Sequence, residues 1–338
     1  MSTSSFMRPA TLVPLLLLAG LLTVPFLAQA AGQPFWISFF TRILIYAIAA
    51  SALNLALGFG GLVSFGHALF LGLGSYAVAL PAAHGIDSGW VQLLLGLGVC
   101  SVVALAVGAI SLRTSGMSFI MITLAFAQMG YFLLVSLKQY GGDDGLAIAT
   151  TSRFAAGMDL GGSLTLYGTA WLLLVLLTGW IAKLRLSPFG MALRGARQNA
   201  RRVQSIGLAP RRVQLAAFVL SGAICGLAGM LLANMNAYAS PSTMAWTVSG
   251  DLIVMVVLGG MGTVFGPLLG ALVFLGVEEW LKGYTEHWMI VFGPLIVLMA
   301  LLGRGGIIGL LQRLDKRIAA RPASPLTQTT VTARKGHA

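Results

Sequence analysis

Long apolar runs alternate with short polar breaks from one end of the chain to the other. A helix rising 1.5 Å per residue needs about 20 residues to cross the hydrocarbon layer of a bilayer. By that measure, candidate spans lie at 12–30, 35–57, 62–80, 90–112, 115–137, 164–182, 213–235, 251–259, 267–281 and 288–302. The eighth and ninth are short and flank the glycine-rich LGGMGTVFGPLLG at 258–270, so they read as two tilted crossings or one interrupted pair. The runs are too long and too helical for an outer-membrane barrel. The pattern predicts an all-α, polytopic transmembrane bundle of eight to ten helices.

Composition agrees with the pattern. The chain of 338 residues is 57% hydrophobic and only 9% charged, against about 25% charged in a usual soluble protein, more apolar surface than one soluble core can hide. Its 43 glycines suit membrane helices, where small residues let backbones approach closely. Cys100 and Cys225 both fall inside apolar runs, so no disulfide framework is indicated.

The net charge of +12 does not point to nucleic acid, because membrane proteins gather Lys and Arg on their cytoplasmic side. With ten spans and the N-terminus inside, Arg8, Arg113, the eight basic residues of 183–212 and the seven of 304–335 are cytoplasmic. Arg42, Lys138, Arg153 and Lys282 then lie outward, as do most acids. Both termini are expected in the cytoplasm. The first run, with Arg8 before it and AQAA at 28–31, also reads as a cleaved signal peptide, which leaves the downstream topology unchanged. The segment 312–338 reads as a basic polar tail after a membrane domain at 1–311.

Candidate chemistry is sparse. A carrier coupled to protons or sodium needs polar or ionisable ligands near the bilayer midplane, and the main candidates are Arg42, His67 and Asp251. Asp251 follows Ser249 and Gly250 at the start of an apolar run, where it reads as a helix cap or dipole partner. His67 reads equally as a donor to a backbone carbonyl exposed by the surrounding glycines or as a substrate contact. No GxxxxGK[ST] phosphate cradle, HExxH or GxSxG occurs, so no catalytic or metal-binding residue is assigned. GGDDG at 141–145 reads as a turn.

The segment SPFGMALRGARQNARRVQSIG at 187–207 stands apart, with Arg194, Arg197, Arg201 and Arg202 and no acid nearby. Ser187 followed by Pro188 predicts a capped helix start, and Gly207 followed by Pro210 a stop. Arg194, Arg197 and Arg201 form one positive stripe, with Ala192, Ala196, Ala200 and Val203 opposite. A plain topology anchor explains the charge alone. A docking element for a cytoplasmic partner also explains the length, the caps and the alanine face.

This loop, with FGMALRGARQN and then AAFVLSGAICGLAGMLLA, resembles the coupling loop and following helix of ABC importer permeases. More narrowly the chain resembles the M-type permease subunit of branched-chain amino-acid ABC importers. The resemblance also rests on LNLALGFGGLVSFGHALFLGLGSYAVAL from Leu53, ITLAFAQ from Ile122, GGDDGL from Gly141, VVLGGMGTVFGPLLGA from Val256 and GRGGIIGLL near the end.

It implies a multi-pass subunit of the bacterial inner membrane, working with a second related permease, two cytoplasmic ATPases that bind the ATP, and an external substrate-binding protein. This chain would hold no cofactor itself. Carried over by position, Phe189, Gly190, Arg194, Arg197 and Gly207 belong to the coupling loop at 183–212, with Arg201 added as an inner contact. Gly60, Gly61, Ser64, Gly66, His67, Gly72 and Gly74 form one pathway-shaping signature, and Gly259, Gly260, Gly262 and Gly266 the other. Where the family commonly has an acid and an Ala-Ala pair, this chain has Ala200, Arg202 and Val203, which implies an unusually basic docking contact. Hydrophobic amino acids are the leading small-molecule substrate; the same pattern also serves urea, other amides and some aromatic acids. The rival classes are a stand-alone secondary carrier or channel, which would need a midplane ionisable ligand, and a membrane enzyme, which would need a catalytic cluster.

Overall fold

The computed structural model describes residues 9–154, 158–287, 289–294, 297 and 305–319. Arg8, much of the expected tenth span and the tail beyond Ala319 lie outside the described residues. Helices α1 (Pro9–Leu21), α2 (Val24–Ala30), α3 (Pro34–Asn54), α4 (His67–Ala83), α5 (Gly89–Ser111), α6 (Met117–Ser136) and α7 (Ser163–Leu186) make the first part. They are followed by α8 (Pro188–Gln198), α9 (Ala200–Ser205), α10 (Pro210–Asn236), α11 (Trp246–Gly259), α12 (Gly266–Lys282) and α13 (Gly306–Ala319). Among the described residues five helices are long and apolar enough to cross a bilayer, and the pair α1–α2, bent by 42°, adds a sixth when counted as one span. The bend falls just before Pro25, which can open a helix but cannot continue one without losing a hydrogen bond. The all-α polytopic bundle read from the sequence is what the chain forms.

Two long helices make the centre. Helix α3 is buried along almost its whole second half and ends in a π-turn, Leu55–Phe59. Helix α10 crosses it, and the Ser221 hydroxyl donates to the Ala52 carbonyl at 2.5 Å. Helices α4 and α5 pack on α10, whereas α7, α11 and α12 pack on α3. Helices α4 and α5 thus lean on the long helix from later in the chain, and α11 and α12 on the one from earlier in it. The C-terminal end of α3 and the start of α10 share one side of the bundle with α8 and α9, here called the loop face.

The third expected span, 62–80, is corrected. Helix α4 begins only at His67, because Gly61 at φ +71° takes the left-handed conformation that ends the preceding turn, and 61–66 is non-helical. Helix α11 also begins inside. The Ser249 hydroxyl accepts the Ala68 amide at 2.9 Å and donates to the Phe65 carbonyl at 2.7 Å, which stitches the starts of α4 and α11 together. From there α4 runs to the opposite face and α11 to the loop face. Such interrupted helices are tolerated at membrane depth where protein satisfies the freed backbone groups.

The α4–α10 contact is backbone on backbone. A side chain on Gly74 would strike the Gly226 carbonyl, and one on Gly229 the Leu71 carbonyl. Small residues of this kind let membrane helices gain dispersion contact without a hydrophobic driving force.

The opposite face carries two small antiparallel pairs, β1 (Leu146–Ala147) with β4 (Tyr238–Ala239), and β2 (Arg153–Phe154) with β3 (Met158–Asp159). GGDDG forms the expected turn, a 3-10 turn at Gly142–Asp144. Hydrogen bonds from the Thr151 hydroxyl and the Gly161 amide hold the Asp159 carboxyl below the usual range, and Arg153 lies 3.9 Å from it.

Candidate functional site

The basic segment folds as two helices. Ser187 caps α8 by accepting the Gly190 amide at 3.2 Å, and Pro188 occupies the first turn, as the sequence predicts. The helix then breaks at Asn199, whose side chain accepts the Arg202 amide at 3.1 Å and caps α9. Gly207, at φ +83°, ends the element. Its buried face is Gly190, Leu193, Ala196 and Val203, with Phe189 half-buried beside them. The expected alanine face is therefore rotated: Ala192 is only half-buried and Ala200 is exposed. Leu193 and Val203 hide more apolar area than any alanine, so they set which side faces the bundle.

The break also splits the expected arginine stripe. Arg194 turns back and donates to the Arg185 carbonyl at 2.9 Å, covering the C-terminal end of α7 where the helix dipole favours a cation. Arg197, although exposed over much of its surface, reaches inward with its tip: its guanidinium donates to the Gly58 carbonyl, and its stem packs on Gly61, where a side chain would meet the Arg197 Cγ. Arg201 and Arg202 remain exposed, near the exposed apolar side chains of Ile206 and Leu208.

The two glycine signatures, about 200 residues apart in sequence, meet here. The Asn54 side chain accepts the Gly262 amide at 2.9 Å and donates to the Thr263 carbonyl at 2.8 Å. Gly262 faces the Gly58 carbonyl, within reach of Arg197. Gly60 lies under Leu193, Gly259 packs on Gly266, and Gly260 faces Gly305 at the start of the α13 segment. Farther in, the Ser64 hydroxyl accepts the Gly66 amide at 3.1 Å, Gly66 packs on Thr123, Gly72 on Met244 and Gly74 on Gly226.

His67 is fully buried, and its Nε2 lies 2.7 Å from the Ser221 hydroxyl. That hydroxyl already donates its one proton to Ala52, so Nε2 carries the hydrogen and donates to a side chain, where the sequence suggested a backbone carbonyl. Asp251 is corrected too. It is the sixth residue of α11, which starts at Trp246, and it caps nothing there.

Asn54, Ser221 and Ser249, which stitch the centre, escape a reading by motif; their signal is a hydrogen-bonding side chain inside an apolar run. A cavity of about 410 Å³ opens at the loop face, lined by Gly61, Arg113, Gln204 and Arg211 among others.

A bundle of membrane-length apolar helices, with two half-helices stitched at its centre and an amphipathic element pinned beneath them, defines a multi-pass membrane permease. Residues 35–300 match the family described as "Branched-chain amino acid transport system / permease component", and the chain belongs to that family. It is 29% identical over 317 residues to the "High-affinity branched-chain amino acid transport system permease protein LivM" of Escherichia coli (strain K12), covering 85% of this chain and 74% of that one. To the "High-affinity branched-chain amino acid transport system permease protein LivH" of Escherichia coli (strain K12) it is 27% identical over 282 residues, 78% of this chain and 91% of the relative. The "Probable branched-chain amino acid transport permease protein LivM" of Methanocaldococcus jannaschii is 26% identical over 318 residues, 78% of this chain and 90% of the relative. No solved structure matches. The chain is a transport subunit of the inner membrane that crosses it several times.

Proposed function

We propose that this chain forms half of the translocation pathway of an ABC importer for branched-chain amino acids. Its partners are a second related permease, two cytoplasmic ATPases and an external binding protein, and ATP is bound by the ATPases. The likeness to both an M-type and an H-type chain of one system supports the permease pair. The density of Lys and Arg at 183–212 favours a cytoplasmic loop face, with both termini on that side. The membrane domain is 1–311 and 312–338 is its basic tail.

The observation that carries the reading is the pinning of α8. Arg197 ties the element to Gly58 and Gly61, and Asn54 ties the same place to Gly262. A push on α8 from below thus reaches the non-helical entry to α4 and the exit of α11 together. Phe189, Gly190 and Gly207 shape this lever, Arg194 fixes it to α7, and Arg201 is its outward contact. The glycine signatures are the close-packed joints around the pathway.

The test is leucine uptake into proteoliposomes. Uptake is expected only with both permeases, the ATPases, the binding protein and ATP. Uptake by this chain alone, driven by an ion gradient, overturns the reading in favour of a secondary carrier.

A further inference from the structure

Four charged side chains and a tyrosine that the sequence scatters over 240 residues converge on one face formed by α3, α11 and α12. Arg42 lies 3.6 Å from Glu278, and Lys282 lies 2.5 Å from the same carboxylate. Arg42 also sits over the Tyr46 ring, 5.8 Å from its centre. Asp251 is exposed on α11, within electrostatic reach of both Arg42 and Glu278, and makes no direct ion pair among the described residues.

Arg42 stands eight residues, about 12 Å, along α3 from Pro34. It is below the aromatic group Phe35, Trp36, Phe39 and Phe40, of the kind that marks the membrane interface. The cluster is therefore inside the membrane zone, in the half farther from the loop face. Ionised side chains at that depth face water or a polar partner, because lipid solvates neither sign.

The four charges sum to zero but are not equally engaged. Glu278 is 10% exposed and held by Lys282 at close range. Arg42 is 36% exposed, its contact with Glu278 is long, and a guanidinium has five N–H donors, more than that contact uses. One partly engaged cation and one exposed anion thus stand on a common face, each matched to half of an α-amino acid head group.

We propose that Arg42 and Asp251 form a head-group subsite for a zwitterionic α-amino acid on its way through the membrane. Arg42 takes the carboxylate in the paired geometry a guanidinium offers, and Asp251 takes the ammonium. Glu278 and Lys282 position Arg42. A zwitterion leaves no net charge at the site, whereas a single-charge ligand does. This rests on the importer reading above and adds the residues that select the substrate's polar end.

The test uses the complete importer in proteoliposomes, with its binding protein loaded with leucine. Asp251→Asn and Arg42→Gln should each lower the maximal uptake rate at least tenfold. The concentration of loaded binding protein giving half that rate should stay within twofold, the second permease should still co-purify, and Asp251→Glu should recover much of the uptake. Wild-type rates in both variants overturn the subsite. So does a loss confined to docking, or to co-purification, which makes the cluster a contact between subunits. If the wild-type importer carries no amino acid at all, the importer reading itself fails, before any variant is compared.

Discussion

Helices α4 and α11 start side by side, joined through Ser249, yet they are packed in different ways. Helix α4 lies in a dry groove where glycines press on backbone carbonyls of α10. The first turns of α11 keep Trp246, Thr247 and Asp251 exposed, and Gly250 has no neighbour closer to its missing side chain than Phe65 at 3.9 Å. Two elements with related connections thus do different work: one is a fixed joint and the other presents a polar, open face. Chain connectivity alone does not separate them; the contacts do.

Paired glycine changes test this contrast most severely. Gly74→Leu drives a side chain into the Gly226 carbonyl, and overpacking of this kind costs about 1–3 kcal/mol or more. A lowered melting temperature and a loss of monodisperse permease in detergent are expected. Gly250→Ala, by contrast, should shift stability by no more than about 1 kcal/mol, and in the stabilising direction, because alanine is the better helix former. Equal damage from both would erase the distinction between joint and open face.

The next test compares the entry to α4 with the exit of α11. Gly66→Leu meets the Thr123 carbonyl, and Gly260→Leu meets the Gly305 carbonyl from a φ of +121° that side chains rarely adopt. Each should reduce uptake about tenfold or more while membrane levels, read by immunoblot of the membrane fraction, stay near wild type, since insertion follows summed apolarity. Normal uptake by both would remove these segments from the pathway.

The smallest effects sharpen what links the two regions. Arg197→Ala removes a charged donor from the Gly58 carbonyl. ATPases should remain bound while each ATP hydrolysed moves less leucine. Arg201→Glu, on the exposed side, should weaken ATPase association a few-fold and leave the coupling ratio of the assembled fraction intact. If the two variants show the reverse pattern, Arg197 is the docking residue and the inward pin has no role in coupling.

Local signals in the sequence were enough for the long spans at 35–57, 90–112, 115–137, 164–182 and 213–235, the Ser187–Pro188 helix start and the turn at 141–145. Each is written in neighbouring residues as apolar length, a cap or a glycine pair. The break at Asn199 carries a local signal too, an Asn three residues before Arg202, but the helix formers on both sides, ALR and ARQ before it and ARRVQ after it, outweigh it. The inward turn of Arg197 has none, because its acceptor is a carbonyl 139 residues away. The meeting of Arg42, Asp251 and Glu278 is equally invisible along the chain, since Arg42 and Asp251 are each a lone charge in an apolar run and Glu278 stands beside Glu279 in a third. Their rarity was the available clue; their partnership is a property of how α3, α11 and α12 pack.

The π-turn at Leu55–Phe59 gives the pin at Arg197 a further property. Such a turn holds more residues than an α-turn, and it leaves the end of α3 one step from ordinary helical winding. Taking up a single residue into α geometry advances a helix by about 1.5 Å and turns it by about 100°. Gly58, whose carbonyl receives Arg197, lies within this turn. The arginine of the surface loop thus holds the central helix at a turn whose winding departs from α geometry.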